Sequence, residues 1–363
     1  VKTKRTVALV YGFWGQNIGN AFFNVGGRWI LDQMFTEHQI SEIQDQPGLR
    51  TFNRKMRGNP KNDFGLLSKL NVDYIVLQGP MLNAHFRVIW EDTFKALAAR
   101  GTKFIYLSAA LFHYTKEEIE GARAFLKEYP PTIISTRDSE TFKHVRDLAP
   151  YTYEGIDSAF FAPKAYTPPP LAADPFITIN FDQYPEPNIV CSDTPLSPEK
   201  FDRVITALGK HFGLKQPRLQ MKFSAAGQWQ CYLGALLDFR KLPAEICGFQ
   251  VVRPEHRVNP DLTWKIYSQP NGLSSDEPYT YLTAYAKTKL TLSDRVHACV
   301  ATLAYGNPAM LLHPTPRGYL FARVGLNEIR QKPMSLDPEY LETERKNQVA
   351  FLKNAVTQIE SGA

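Results

Sequence analysis

Arg295 and His297 stand two residues apart in Leu290-Thr-Leu-Ser-Asp-Arg-Val-His297, where a strand pattern gives way to the apolar helix pattern Ala298, Val300, Ala301, Leu303 and Ala304. A guanidinium grips carboxylate or phosphate through a planar fork of N–H donors. Imidazole is the side chain that gains and loses a proton near neutral pH. At the carboxyl end of a strand, the free N–H groups and the dipole of the next helix already favour negative charge. Adding Arg and His to such a corner suits an anionic substrate and proton transfer. A spacing of two on a strand end puts both side chains on one face. It also fits a structural ion pair beside a packed imidazole.

Two more cations sit at strand ends. Arg317 lies 20 residues beyond His297, after the next strand pattern. Arg137 follows a strand in Ser135-Thr-Arg-Asp-Ser-Glu-Thr141. There Asp138 or Ser139 can cap the next helix, and Arg137 either joins a surface ion pair or points into a cleft. Arg137, Arg295 and Arg317 could converge on one anion. Asp157 reads as a helix cap or a cleft carboxylate. Asp182, after a later strand, reads as a cleft residue or as loop polarity. The loop Gly12–Asn20 carries Asn17 and Asn20, which suit substrate contact. Its glycines are spaced GxxGxxxG rather than GxGxxG, with no acidic partner for a ribose, which argues against a nicotinamide cofactor. Six of the other histidines, at 85, 113, 144, 211, 256 and 313, show no ligand-like spacing and read as surface or packed residues.

Strands that alternate with helices must position these groups. Strand patterns at Thr6–Tyr11, Tyr74–Leu77, Lys103–Ser108, Thr132–Thr136 and Thr152–Tyr153 alternate with helix patterns at Ala21–Met34, Trp90–Arg100, Lys116–Tyr129 and Ser139–Leu148. This order predicts a parallel sheet with helices on both faces. The Pro-rich stretch Ala165–Pro175 predicts a linker. The expected organisation is a lobe over 1–168, a second α/β lobe over 175–335, and a C-terminal helical segment over 336–363 that could pack back on the first lobe. In the second lobe, Pro198–Phe212 reads as a helix, 214–278 as long loops with short strands, and Tyr279–Lys287 as a helix.

Composition narrows the function. A formal net charge of +6 over 363 residues is too small and dispersed to argue for nucleic acid. No stretch approaches ~20 continuous apolar residues, so no membrane span is expected. The N-terminal residues read as a strand rather than a signal peptide. Cys191, Cys231, Cys247 and Cys299 form no CxxC pair and no zinc pattern, so reduced thiols and no metal are expected.

Four short motifs occur in order: Asn17-Ile-Gly-Asn20, Arg137-Asp-Ser-Glu-Thr141, Asp157-Ser-Ala-Phe160, and Asp294-Arg-Val-His297 followed by Gly306-Asn-Pro308. Together they resemble the signatures of the polysaccharide pyruvyl transferase family. Val296 stands where that family carries Leu, and Asn20 where it carries Asp. Gln78-Gly79-Pro80 replaces its Gly-Gly-Gly, and Arg317 its Lys. The resemblance implies a GT-B-like fold, with two Rossmann-like α/β lobes facing a cleft. It implies transfer of a pyruvyl group from phosphoenolpyruvate to two hydroxyls of a hexose, in a polysaccharide or lipid-linked oligosaccharide, as a ketal. On that reading His297 handles protons. Arg295 and Arg317, with Ser293, hold phosphate and developing charge, and Arg137 holds the carboxylate. Asn17, Asn20, Asp157 and Asp182 face the acceptor. The co-substrate is phosphoenolpyruvate, with no separate cofactor and no metal. A nucleotide-sugar glycosyltransferase of the same fold, or a non-catalytic two-lobed scaffold, are the competing functions. The expected location is the cytoplasm or the inner face of a membrane. There the basic segment Arg50–Arg57 would make at most a peripheral contact, unless it is simply a solvated loop.

Overall fold

The computed structural model describes residues 4–12, 17–43, 65–170, 174–181, 184–216, 240–256 and 269–362. Asp182 and the basic segment Arg50–Arg57 lie outside the described residues. The first lobe runs β1 (Thr6–Val10), α1 (Gly19–Met34), β2 (Gln39–Ile43), β3 (Tyr74–Gln78), α2 (Phe86–Ala98), β4 (Lys103–Ala109), α3 (Lys116–Glu128), β5 (Ile133–Thr136), α4 (Ser139–Val145), β6 (Tyr151–Glu154) and α5 (Ala162–Ala165). A single 3-10 turn, Ser158–Phe161, precedes α5. The sheet order is β2-β1-β3-β4-β5-β6, and every pair is parallel.

Burial explains why these segments read as strands. Side chains alternate across the sheet, so Val7, Leu9, Tyr74, Val76, Ile105 and Leu107 pack on one face. Ala8, Val10, Ile75, Leu77, Phe104 and Tyr106 pack on the other. A sheet covered on both sides needs continuous apolar runs. Helix α2 starts at Phe86, a turn earlier than Trp90. Phe86, Trp90 and Phe94 then fall four apart on one buried stripe, each at most 2% exposed.

The second lobe holds β7 (Phe176–Asn180), β8 (Asn188–Ser192), β9 (Arg203–Ala207), β10 (Lys210–Lys215), β11 (Glu245–Ile246), β12 (Phe249–Pro254), β13 (Gly272–Leu273), α6 (Pro278–Lys287), β14 (Thr291–Ser293), α7 (Val296–Ala304), β15 (Ala309–Leu311) and α8 (Tyr319–Arg323). Its main sheet runs β11-β12-β7-β14-β15, parallel except for β11. Strands β12 and β14 flank β7, so chain direction across the sheet reverses there. Ligands settle outside the carboxyl ends of strands at such a point.

Two expectations are corrected here. Pro198–Phe212 is not a helix: β9 and β10 form a hairpin within the antiparallel sheet β8-β10-β9. Leu208 and Gly209, at φ 53° and 71°, supply the two left-handed residues of a tight hairpin turn. Val204, Ile205, Leu208 and Phe212 mimic helical spacing. The β-branched run Val204-Ile-Thr206 and the Leu-Gly turn decide for strands. Secondly, Cys191 and Cys247 are not separate thiols. They form a disulfide with Cα atoms 5.9 Å apart, which ties β8 to the turn before β12.

The long helix α9 (Pro338–Ser361) lies against the first lobe. Gln348 Oε1 accepts from Ile156 N at 2.7 Å, and Arg345 Nε donates to Phe160 O at 2.9 Å. Tyr74 donates its hydroxyl to Glu360 at 3.1 Å.

Helix α1, the Ser158–Phe161 turn and α7 share one apolar cluster, which joins the lobes. Gly26 makes the closest approach. A Cβ there would fall 1.8 Å from Ser158 O, a backbone atom that cannot step aside. Gly26→Ala is expected to cost on the order of 1–3 kcal/mol through overpacking. Urea titration against the wild type would show it as a lower midpoint, and an unchanged midpoint would contradict the tight approach.

Candidate active site

Strand β14 ends at Ser293, and the chain turns into α7 through Asp294 and Arg295. Ser293 Oγ accepts from Arg295 N at 2.8 Å and donates to Asn180 Oδ1 at 3.1 Å. Asp294 Oδ2 accepts from Tyr184 N at 2.9 Å. Each of these polar side chains is consumed in fixing the corner. Ser293, read as a donor-binding residue, is fully buried and holds the backbone of Arg295 instead. The Arg295 guanidinium reaches across the cleft, where Nη2 donates to Asn17 Oδ1 at 2.9 Å. Asn17 in turn donates to Asn20 at 3.2 Å.

The second cation arrives from β5. Arg137 Nη1 donates to Asp157 Oδ2 at 2.8 Å, and both side chains are 1% exposed. Asp157 Oδ1 accepts from Ala159 N at 2.8 Å, capping the 3-10 turn. His297 Nε2 lies 3.5 Å from Asp157 Oδ2, in ion-pair range but too long for a well-formed hydrogen bond. The acceptor role read for Asp157 does not fit this geometry. Its carboxylate is buried behind the cavity and positions Arg137 and His297. Burial alone would raise the Asp157 carboxyl, yet His297, Arg137 and the Ala159 N–H hold it well below the usual carboxylate range. For His297 burial dominates and pushes the imidazole down. Arg137 and Arg317 add to that, and Asp157 opposes it.

The cavity between the lobes is lined by Asn17, Asn20, Pro80, Arg137, His256, Arg295, Val296, His297 and Arg317. Among the described residues its lining holds three guanidiniums and two imidazoles, and no carboxylate. The amino ends of α1 and α7 border it through Asn20 and Val296, and the helix dipoles favour negative charge there. Gly79, at φ 81°, turns the chain so that Pro80 enters the lining. A Cβ on Gly79 would meet the Phe23 ring at 3.0 Å. The Arg317 guanidinium lies 5.0 Å from the Phe112 ring centroid. Among the candidates, Arg137, Arg295, His297, Arg317, Asn17 and Asn20 come together. His256, read as surface or packed, is the one that was missed. It is packed, at 1% exposure, and sits two residues past β12, a strand end that the sequence pattern does not mark. Among the described residues, no three His, Cys, Asp or Glu side chains are grouped as metal ligands. No helix among them is long and apolar enough to cross a membrane.

The buried imidazoles carry a stability signature. His313 is pushed down to about 4 by burial, with Arg203 and Arg330 adding to it. His297 is pushed down as well. In the unfolded chain both return to about 6.5. Between the unfolded and folded values the unfolded state binds more protons, so stability rises with pH. The melting temperature should therefore fall as pH drops from about 6.5 towards 4, and level off above 7. A flat profile in differential scanning fluorimetry would contradict it.

The sequence matches the family model described as polysaccharide pyruvyl transferase over residues 17–312. No curated protein matches the chain. Among solved structures, Staphylococcus aureus MnaA in its UDP co-structure is similar with a TM-score of 0.51 and 11% identity, covering 97% of this chain and 91% of that one. The UDP-GlcNAc 2-epimerase of Methanocaldococcus jannaschii, in complex with UDP-GlcNAc and UDP, is similar with a TM-score of 0.50 and 10% identity, covering 99% of this chain and 100% of that one. At these identities the likeness is one of fold: two α/β lobes in GT-B-like arrangement.

Proposed function

The chain belongs to the polysaccharide pyruvyl transferase family, and from that premise we propose that it moves a pyruvyl group from phosphoenolpyruvate to two hydroxyls of a hexose, forming a cyclic ketal. The observation that carries the proposal is the positive charge of the cavity: Arg137, Arg295 and Arg317 converge there with two imidazoles. Phosphoenolpyruvate places a carboxylate and a phosphate on adjacent carbons, a charge density that needs several guanidiniums. Arg295 and Arg317 take the phosphate, and Arg137 the carboxylate. Asn17 and Asn20, at the amino end of α1, face the acceptor.

The chemistry follows from the donor. A proton added at C3 leaves C2 electron-poor, and a sugar hydroxyl attacks C2 and gives up its proton. Phosphate then departs with the C2–O electron pair, and the second hydroxyl closes the ring and loses its proton. Two hydroxyl protons leave; one ends on the methyl group and the other on phosphate. His297 supplies the first proton. Arg137 and Arg317 depress the imidazole, and bound donor anion offsets them, which raises its hold on a proton as the donor arrives. With its Nε2 directed to Asp157, Nδ1 is left to deliver it. Positive charge comes from guanidiniums, so the scheme calls for no metal and no cofactor beyond the co-substrate. The donor is a cytoplasmic metabolite, so we place the reaction in the cytoplasm or at the inner membrane face, where the acceptor is a polysaccharide or a lipid-linked oligosaccharide.

The test is incubation with phosphoenolpyruvate and a panel of galactosides, glucosides and mannosamine derivatives, read by mass spectrometry. The expected product is heavier by one pyruvate less one water, with phosphate released in equal amount. Thermal stabilisation by UDP-sugars and none by phosphoenolpyruvate, together with consumption of the sugar nucleotide, would favour a glycosyltransferase and overturn the proposal.

A further inference from the structure

Two imidazoles, not one, line the cavity, and ketal formation moves two protons. Resting on the pyruvyl-transfer reading, we propose that His256 is a second catalytic residue, the base for the closing step. It takes the proton of the acceptor's second hydroxyl as that oxygen bonds to C2. The C2–O(phosphate) bond breaks with its electron pair on phosphate, and His256 then hands the proton to the departing phosphate.

Geometry places the two rings as a pair. Gly19, the first residue of α1, stands between them. A Cβ on Gly19 would lie 3.2 Å from His297 Cβ and 3.3 Å from His256 Nδ1. Both residues therefore pack against the one bare Cα of Gly19 at the amino end of a helix, on the cavity they both line. Each is backed through Nε2 by a different partner. Behind His297 stands the Asp157 carboxylate at 3.5 Å, which favours an imidazolium and suits an acid. Behind His256 stands the Tyr285 hydroxyl at 2.5 Å, uncharged and fully buried. With Nε2–H donating to that hydroxyl, Nδ1, on the Gly19 side of the ring, is the atom that takes up the proton. The difference in backing separates an acid from a base within one cavity.

The ring is also held in place. Phe22, Tyr281 and Tyr285 meet it edge-on, with centroids 5.4, 5.9 and 5.7 Å away. Its own carbonyl accepts from Ile18 N at 2.7 Å, anchoring this second-lobe residue to the start of α1. At 1% exposure, a purely structural histidine would leave the early chemistry and the pH profile untouched wherever the fold survives.

The test uses His256→Gln, which keeps a polar group near Tyr285 but cannot carry a proton. In D₂O with phosphoenolpyruvate and acceptor, deuterium should still enter C3 of recovered donor. Ketal formation should fall by about 10²–10⁴ and lose its acidic limb in the pH profile. Ketal formation at the wild-type rate with an unchanged profile would overturn the proposal. So would equal loss of C3 exchange and ketal in a variant that still melts like the wild type and is still stabilised by phosphoenolpyruvate. Should His256→Gln fail to fold, Tyr285→Phe serves: it is expected to move the acidic limb, and an unmoved limb overturns the proposal. If the wild type itself gives no ketal, it is the pyruvyl-transfer reading that fails.

Discussion

His297→Gln is expected to lose about 10²–10⁴ of the ketal-forming rate while keeping its affinity for the donor. On the proposed chemistry, affinity rests on guanidiniums that the substitution leaves in place, whereas the C3 proton rests on the imidazole. The measurement is phosphate release with acceptor present, beside thermal stabilisation by phosphoenolpyruvate. His85→Gln, on the exposed start of α2, is the reference variant. Equal release from the two variants would remove His297 from the chemistry. A lost thermal shift in His297→Gln would make it a binding residue instead.

The largest expected effect on stability is at Asp157. Asp157→Ala strips the carboxylate from Arg137, which is 1% exposed, and from His297. A buried charge left without its partner costs about 3–5 kcal/mol. The variant also loses the cap on Ala159 N. Asp157→Asn keeps an oxygen for that cap and should be affected less. Chemical denaturation of the two variants reads the difference. A midpoint for Asp157→Ala close to that of the wild type would mean that Arg137 does not depend on this carboxylate. Activity should fall in both, because Arg137 and His297 lose the group that orients them.

Much of the site was legible because strand ends carry a simple rule. In a parallel sheet the carboxyl ends share one edge, so Arg137 after β5 and Arg295 after β14 had to come out at the cleft. Asp157 was ambiguous for a physical reason. A carboxylate before a turn can cap it or face a ligand, and only the fold shows that one oxygen caps Ala159 while the other holds Arg137. His256 was hidden because its strand, β12, has an irregular sequence on both sides. A single imidazole without periodic neighbours carries no signal of its own. The β9–β10 hairpin was lost to a coincidence of period, in which apolar residues three and four apart satisfy a helix as well as two short strands.

The contact between Asp157 and His297 spans the lobes, and it gives the enzyme a sense of timing. The proton affinity of His297 is written by groups on the opposite lobe, Asp157 and Arg137, so it depends on how far apart the lobes stand. Any widening of the cleft lets water in and returns that imidazole towards ordinary behaviour. On the proposed chemistry, donor bound in a widened cleft then meets no poised acid. That matters because an enol phosphate protonated with only water at hand ends as pyruvate and phosphate, with nothing transferred. On that reading the two lobes have to be in register, with the acceptor sugar inside, before the proton moves.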